Sequence, residues 1–348
     1  LRWGAARISG KINEQSMSIN WPRLIEIIRG HQRFLLTSHI RPDCDALGSE
    51  LGMAGVLEAL GKEALIVNGQ STPRNLQFID PTRRIKAIGI DVQPGDLEGY
   101  EVLIVLDTSA WAQLAPMADV LRSTKAKKII IDHHVSGDDL GAELFKDTSA
   151  EATGRLVVQA AEQLGVRLTR EIALPLFAAI ATDTGWFRFA STKPETLRVA
   201  AALMDAGVKP FELYNSLYEQ DTLARIKLIG RTLARAQTEL GGRLIHTWIR
   251  QEDFRATGAV ASDTEDIINM TLTVGGTLVA IILVELATGG VKVSFRSRGQ
   301  IDCSRLAEQF GGGGHKAAAG ATLNEPFDTA QAKVLDAVRA AMNTESKA

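Results

Sequence analysis

The sequence predicts an α/β protein in two parts, a parallel sheet covered by helices and then a smaller α/β domain. Three observations predict it. Short apolar runs that read as buried strands alternate with helical patterns through the first half of the chain. Three of those strand ends lead within three residues to aspartate or histidine, which packing alone does not explain. After a Gly241-Gly242 turn, alternating strand patterns and a hairpin signal take over.

A chain of 348 residues exceeds a typical single core, and 45% hydrophobic with 23% charged residues is the balance of a soluble globular enzyme. The net charge of −2 excludes a protein that coats long nucleic acid electrostatically, but leaves room for a small anionic ligand in a local pocket. No apolar run reaches the roughly 18 residues of a membrane span. Residues 1–16 lack the apolar segment of a signal peptide and read as a leader or expression-derived segment, with Met17 as the natural start. Cys44 and Cys303 make no disulfide framework and fit a reducing cytoplasm. Cys44, between two aspartates, reads as a small buried filler.

The first strand, Phe34 to Leu36, is followed by a helical pattern of Leu47, Leu51, Ala54 and Leu57, and between them stand His39, Asp43 and Asp45. Open α/β sheets collect ligands at the carboxyl ends of strands. Imidazole with hard carboxylate oxygens suits Mn²⁺ or Mg²⁺. A purely structural alternative stays open, with Asp45 as the N-cap of the helix and Asp43 in a Pro-Asp turn. Ala64 to Val67 reads as the second strand, and a turn-rich loop runs from Asn68 to Pro81. Val102 to Leu106 ends in Asp107-Thr108-Ser109, and Ile129 to Ile131 ends in Asp132-His133-His134. Thr169 is expected to cap a helix whose interior, Ile172 to Ala181, is buried. That helix ends near Asp183, a carboxylate that needs hydrogen bonds or a metal. A helix from Pro194, capped by Ser191 or Thr192 and stopped by Gly207, closes a first domain over residues 17–207.

Residues 208–240 read as a helical linker, its second helix running from Thr222 to Leu240 with Arg225, Lys227, Arg231 and Arg235 on a solvated face. In the second domain, 241–348, Arg243 to Arg250 alternates as a strand. Ser262 to Glu265 forms a capping box for a helix through Asn269 and Leu272. Leu278–Leu286 and Val291–Arg298 flank Thr288-Gly289-Gly290, a hairpin signal. Period two puts Val291, Val293 and Phe295 on one face and Lys292, Ser294, Arg296 and Arg298 on the other. After a short helix, Ser304 to Phe310, come four consecutive glycines, Gly311 to Gly314, and His315. Such a run is costly to order unless the backbone must come close to something with its N–H groups bare. A strand-like segment and a helix from Thr329 to Met342 follow at once, which argues against a glycine linker.

The series His39-x-x-x-Asp43-x-Asp45, Asp107, Asp132-His133-His134 and Asp183 resembles the four motifs of the DHH phosphoesterase superfamily. The glycine-histidine run resembles the signature of that superfamily's DHH-associated domain, and together they cover roughly residues 20 to 345. Three other branches differ from this chain. Family II pyrophosphatases have no polyglycine-His loop, RecJ-type exonucleases add an oligonucleotide-binding barrel, and tethered phosphodiesterases add membrane segments. The compact stand-alone branch remains. It implies a catalytic site in a cleft between the domains and two divalent ions, Mn²⁺ before Mg²⁺ or Co²⁺. His39 and Asp43 would hold one ion, Asp45, His133 and Asp183 the other, with Asp107 bridging. Asp132 would fix a histidine tautomer, and His134 would touch the phosphoryl oxygen or protonate the leaving oxygen. Arg296, Arg298, the amides of Gly312, Gly313 and Gly314, and His315 would bind the substrate's other end, while Arg41 fits an ion pair as well as a substrate contact.

The implied activity is exonucleolytic hydrolysis of short oligoribonucleotides to mononucleotides, and of 3′-phosphoadenosine-5′-phosphate (pAp) to AMP. A cytoplasmic enzyme acting alone or as a homodimer is implied, with neither long nucleic acid nor membrane as partner. A phosphodiesterase for cyclic di-AMP or pApA shares the layout. A non-catalytic nucleotide-binding protein is the reading from another class, and the unbroken set of six ligand candidates speaks against it. One departure stands out: Thr108 to Gln113 lacks the basic residue that relatives often show there.

Overall fold

The structure, a computed structural model, describes residues 19–299 and 301–345; the expected leader and the expected start at Met17 lie outside the described residues. It divides into two compact units after Glu219. No described helix is long and apolar enough to cross a membrane.

In the first unit the strands are β1 (Arg33–Thr37), β2 (Glu63–Asn68), β3 (Ile85–Ala87), β4 (Val102–Leu106), β5 (Lys127–Asp132) and β6 (Glu143–Lys146). They form one parallel sheet in the order β3-β2-β1-β4-β5-β6. The edge strands β3 and β6 are short and carry no continuous apolar run, which is why the sequence reading passed over them. The helices are α1 (Trp21–Gly30), α2 (Cys44–Ala59), α3 (Met117–Ser123), α4 (Thr153–Leu164), α5 (Arg170–Asp183), α6 (Pro194–Asp205) and α7 (Pro210–Tyr218). Helices α2, α4 and α5 pack with Phe34, Leu36, Ile104 and Ile131 on one side of the sheet, and α3 packs with Leu35, Leu103, Val105 and Ile130 on the other. The chain runs outward from β1 to β3 and returns to β4 beside β1. The order therefore reverses between β1 and β4, the position where the carboxyl ends of strands open a crevice.

Glycines on α2 set what meets at that crevice. A Cβ on Gly48 would lie 2.3 Å from the Pro175 carbonyl oxygen, and one on Gly52 would lie 2.4 Å from Leu176. Their absence lets α2 and α5 approach closely. The contacts run from Gly48 at Pro175 to Gly55 at Ile172, so the helices are antiparallel. The start of α2, with Asp43 and Asp45, thereby faces the end of α5, with Asp183. Two caps differ from expectation. Thr169 occupies the N-cap of α5 without a side-chain hydrogen bond. The N-cap of α6 is Lys193, whose N–H donates to Thr196 Oγ1 at 3.0 Å, because Pro194 takes the first helical position.

The second unit contains α8 (Leu223–Ala234), β7 (Gln237–Glu239), β8 (Leu244–Ile249), α9 (Gln251–Thr257), α10 (Ile267–Thr271), β9 (Val279–Glu285), β10 (Val291–Ser297), α11 (Cys303–Glu308), β11 (Gly313–His315), β12 (Ala318–Leu323) and α12 (Phe327–Glu345). Its sheet runs β11-β12-β10-β9-β8-β7, parallel at β8–β9 and antiparallel elsewhere. Helices α11 and α12 cover one face, and α8 and α10 pack on the other. Val291, Val293 and Phe295 are buried, as the period-two pattern requires.

Four local features of this stretch differ in detail from the sequence reading. The helices of 208–240 join different cores, Leu213 the first unit's and Leu228 and Ile229 the second's. The helix expected to reach Leu240 stops at Ala234, because Gln237–Glu239 pairs with β8. Arg231 and Arg235 are not simply solvated either. Arg231 Nε donates to Asp253 Oδ1 at 2.9 Å, and Arg235 donates to both Asp253 oxygens at 2.6 and 2.7 Å. The box at Ser262 yields a short 3₁₀ turn, Ala261–Thr264, in which Val260 N–H donates to Asp263 Oδ2 at 2.8 Å. Asp266, at φ 63°, turns the chain before α10 and keeps that helix to five residues.

Candidate metal and active site

Each residue of the first motif has a defined anchor. His39 Nδ1 lies 2.9 Å from the Ile40 carbonyl, so Nδ1 carries the hydrogen and Nε2 is presented outward. That Nε2 sits 3.4 Å from Asp107 Oδ2 and 4.0 Å from Asp43 Oδ1. Asp43, not Asp45, is the N-cap of α2: its Oδ1 accepts from Asp45 N–H at 2.9 Å and Ala46 N–H at 3.0 Å. Oδ1 is thus both the capping oxygen and the one turned toward His39. Asp45 is buried and caps a different helix. It accepts from Thr153 N–H at 2.7 Å and Gly154 N–H at 2.8 Å, the first amides of α4. The residue before that helix, Ala152, has no side chain able to do so.

Asp107 leaves the end of β4 at φ 63° and is 2% exposed. Its Oδ2 faces His39, while its Oδ1 lies 3.5 Å from His133 Nε2 and accepts from Thr153 Oγ1 at 2.9 Å. One carboxylate thus turns one oxygen toward each imidazole. His133 places Nδ1 3.3 Å from the Ala150 carbonyl and aims Nε2 at Asp45 Oδ2 (3.6 Å), Asp107 Oδ1 (3.5 Å) and Asp183 Oδ2 (3.4 Å).

These separations are long for hydrogen bonds. They match two ligand atoms each about 2.1 Å from one shared cation. Three sets offer ligand atoms within 4.8 Å of one another: His39, Asp43 and Asp107; Asp45, His133 and Asp183; and Asp107, His133 and His134. Burial first, then the charge of Asp45, pushes Asp107 well above the usual carboxylate range. Burial also raises Asp45, and burial with Asp45 nearby lifts Asp183 to about 8. Carboxylates crowded in this way are what a divalent cation neutralises, so the residues fit a metal.

Asp132 stands behind them, wholly buried. Its Oδ1 accepts from His134 N–H at 3.0 Å and lies 2.8 Å from His134 Nδ1. Its Oδ2 accepts from Ser109 Oγ at 2.9 Å and is 3.3 Å from Lys146 Nζ. Burial would raise its pKa, but the bonds from His134, Ser109 and the charge of Lys146 hold it at about 2. The same hydrogen bond raises the pKa of His134. With Nδ1–H given to Asp132, the half-exposed ring of His134 offers Nε2 outward.

Thr153, Ser109 and Lys146 escaped the sequence reading. The signal for Thr153 was a helix start, Ala152-Thr153-Gly154, with no capping residue of its own. Lys146 Nζ donates to Ser109 Oγ at 3.1 Å, so β6, two strands away in the sheet, brings a cation to the segment that lacked one. Cys44 is buried, with burial pushing its thiol up to about 12, and belongs to the core.

In the second unit, Arg296 is half-buried and donates Nη1 to the Phe295 carbonyl at 3.1 Å. Arg298 is tied to the Leu272 carbonyl. A Cβ on Gly312 would lie 2.2 Å from Gly320 O, and one on Gly314 2.6 Å from Ala318 O. The close approach that the glycines permit is therefore made to β12 at these two positions. Gly313 faces open space, and His315 is exposed.

Comparison with known proteins identifies the family to which both parts of the chain are similar. Family models match residues 33–180 (DHH family, N-terminal domain) and 241–344 (DHHA1 domain). The chain is 36% identical over 305 residues to the bifunctional oligoribonuclease and PAP phosphatase NrnA of Thermus thermophilus, covering 87% of this chain and 88% of that one. It is 29% identical to the Bacillus subtilis protein of the same name, over 86% of this chain and 92% of the relative. The crystal structure of an exopolyphosphatase-related protein from Bacteroides fragilis has the same fold, with a TM-score of 0.79 at 22% identity over 93% of this chain and 95% of that one.

Proposed function

The chain belongs to the DHH family, with a DHH domain followed by a DHHA1 domain, and we propose that it is a metal-dependent phosphoesterase releasing mononucleotides from short oligoribonucleotides and AMP from pAp. The observation that carries this is Asp107, which turns one oxygen toward His39 and the other toward His133. The activities named for the relatives from Thermus thermophilus and Bacillus subtilis support the substrate class.

His39, Asp43 and Asp107 would hold one divalent ion, and Asp45, His133, Asp183 and Asp107 a second; Mn²⁺ suits this mix of imidazole and carboxylate, with Mg²⁺ and Co²⁺ as alternatives. Such a pair supplies positive charge for both the attacking and the leaving oxygen of an in-line displacement. The chain's own groups do the rest. Asp132 fixes His134 with its proton on Nδ1, and the same hydrogen bond raises the pKa of His134, which favours the protonated ring in which Nε2 is a donor. That donor serves a phosphoryl oxygen or the leaving oxygen as the P–O bond breaks. Residues 17–207 are assigned the chemistry and 241–348 substrate binding, joined by 208–240. Arg296 and Arg298 offer forked donors for phosphate, while Gly313 and Gly314 offer exposed backbone, Gly312 a partly buried amide and His315 an exposed ring. The proposed compartment is the cytoplasm, and Cys44 and Cys303 are unpaired and buried.

The test is hydrolysis with Mn²⁺, Mg²⁺ and Co²⁺ of pAp, pApA, cyclic di-AMP and RNAs of graded length. The expected products are phosphate and AMP from pAp and mononucleotides from the shortest RNAs. Turnover of none of them, or of cyclic di-AMP alone, contradicts the proposal.

A further inference from the structure

Beside Asp43 lies a cavity of about 370 Å³, near the lower end of the size range of small-molecule pockets. Pro42, Leu76 and Leu217 line it with apolar surface, and Asn75 and Thr182 add polar groups. They come from the loop after β1, the 3₁₀ turn Arg74–Ile79, the end of α5, and α7. All belong to the first unit. Asp43 forms part of the lining and is also a member of the set with His39 and Asp107. The cavity and the metal-competent cluster therefore share one carboxylate.

We propose that this cavity receives a nucleobase of the substrate, the one belonging to the nucleotide whose phosphate is attacked. The inference rests on the phosphoesterase reading of the adjacent cluster and adds where that nucleotide's ring is held. A base has two apolar faces and a polar edge, the same division of chemistry as these walls. Pro42, Leu76 and Leu217 suit the faces. The Asn75 carboxamide offers both donor and acceptor to the edge. Thr182 Oγ1 already donates to the Ala178 carbonyl at 2.8 Å, so toward a ligand it is an acceptor, suited to an exocyclic amine such as that of adenine. Arg41 also lines the cavity and holds φ 54°, a backbone conformation uncommon for a side-chain-bearing residue and concentrated at binding sites. This gives Arg41, whose sequence context left two roles open, a place at the rim of a ligand site.

The test uses the full chain with Mn²⁺ and two variants that fill the cavity from different walls, Leu217→Trp and Leu76→Trp, with Asn75→Ala as a milder third. Hydrolysis of pAp is compared with that of ribose 3,5-bisphosphate, which has no base. Equilibrium binding of AMP is compared with that of ribose 5-phosphate by calorimetry. Filling the cavity should cut kcat/KM for pAp about 10- to 100-fold, the range set by burial of a ring-sized apolar group, and chiefly through KM. Turnover of the base-free substrate should stay within about twofold, and AMP affinity should fall in parallel with pAp efficiency. Unchanged pAp efficiency and AMP affinity in folded Leu217→Trp and Asn75→Ala variants overturn the assignment. The binding comparison separates this from the parent proposal. Wild-type protein that binds AMP no more tightly than ribose 5-phosphate refutes the cavity whatever the turnover. Absence of all hydrolysis with AMP preference intact refutes the phosphoesterase reading alone.

Discussion

Thr153 donates its hydroxyl to Asp107 Oδ1 at 2.9 Å, from the first turn of the helix whose amides hold Asp45 at 2.7 and 2.8 Å. One helix start thus orients two carboxylates. Thr153→Val keeps the shape and burial but removes the donor. It should lower Mn²⁺ affinity or kcat about 10- to 100-fold, the usual effect of losing a hydrogen bond that orients a ligand, and Thr153→Ser should restore most of it. Metal titration and turnover on pAp check this; a Val variant equal to wild type contradicts it.

Glu50 gives a pH test of stability. It is wholly buried on α2, accepts from Asn68 Nδ2 at 2.9 Å, and burial pushes it to about 8. Its folded pKa lies above the unfolded value of 4.5, so between those values the folded state binds more protons than the unfolded state. Stability should then fall as pH rises through that window, by up to about 1.4 kcal/mol per pH unit from this group. Glu50→Gln should remove that share of the slope and be more stable than wild type at pH above about 8. Denaturant unfolding of both proteins from acid to alkaline pH measures the difference; parallel curves contradict it.

Much of the first unit was legible because its signals are local. An apolar run ending on Asp107 or on Asp132-His133-His134 marks both a buried strand and a polar strand end. The six ligand candidates were named from their resemblance to the four family motifs, and the fold brings them into groups whose ligand atoms lie within 4.8 Å of one another. What stayed hidden depends on other elements. Asp45 caps α4 rather than its own helix because α4 begins at Ala152-Thr153, more than a hundred residues later in the chain. Lys146 reaches Ser109 from β6, a strand too short and polar to read. Arg231 and Arg235 looked like a solvated face because their partner, Asp253, stands on another helix.

Asp253 gives a stability test in the second unit. It is buried and takes hydrogen bonds from Arg231, Arg235 and the Arg250 backbone. Asp253→Ala leaves two guanidinium groups unpaired and should destabilise that unit by about 3 kcal/mol. The loss should appear in denaturant unfolding followed by Trp248 fluorescence, with Mn²⁺ affinity unchanged. A change within about 0.5 kcal/mol contradicts the pairing as a stabilising element.

Substrate length follows from charge. With 39 basic against 41 acidic residues there is no general affinity for polyanions. Efficiency should stop rising after a few nucleotides, with log affinity falling against log salt by about 0.7 per phosphate neutralised, a total of roughly 1–2. Arg296→Ala should raise KM on short RNA more than it lowers kcat. Efficiency that climbs steadily to about twenty nucleotides with a steep salt slope would mark a long-strand exonuclease instead.

The most direct test of the central claim is Mn²⁺ stoichiometry and pAp turnover in Asp107→Asn. Asp107 faces both His39 and His133, at 3.4 and 3.5 Å, so a neutral amide there removes the charge shared by two cation positions. Wild type should bind two Mn²⁺ ions by calorimetry, and the variant should bind fewer or far more weakly. Its turnover should fall by more than about a thousandfold while the thermal unfolding transition stays cooperative. A folded Asp107→Asn protein that still binds two Mn²⁺ ions and hydrolyses pAp at near wild-type rate contradicts the account.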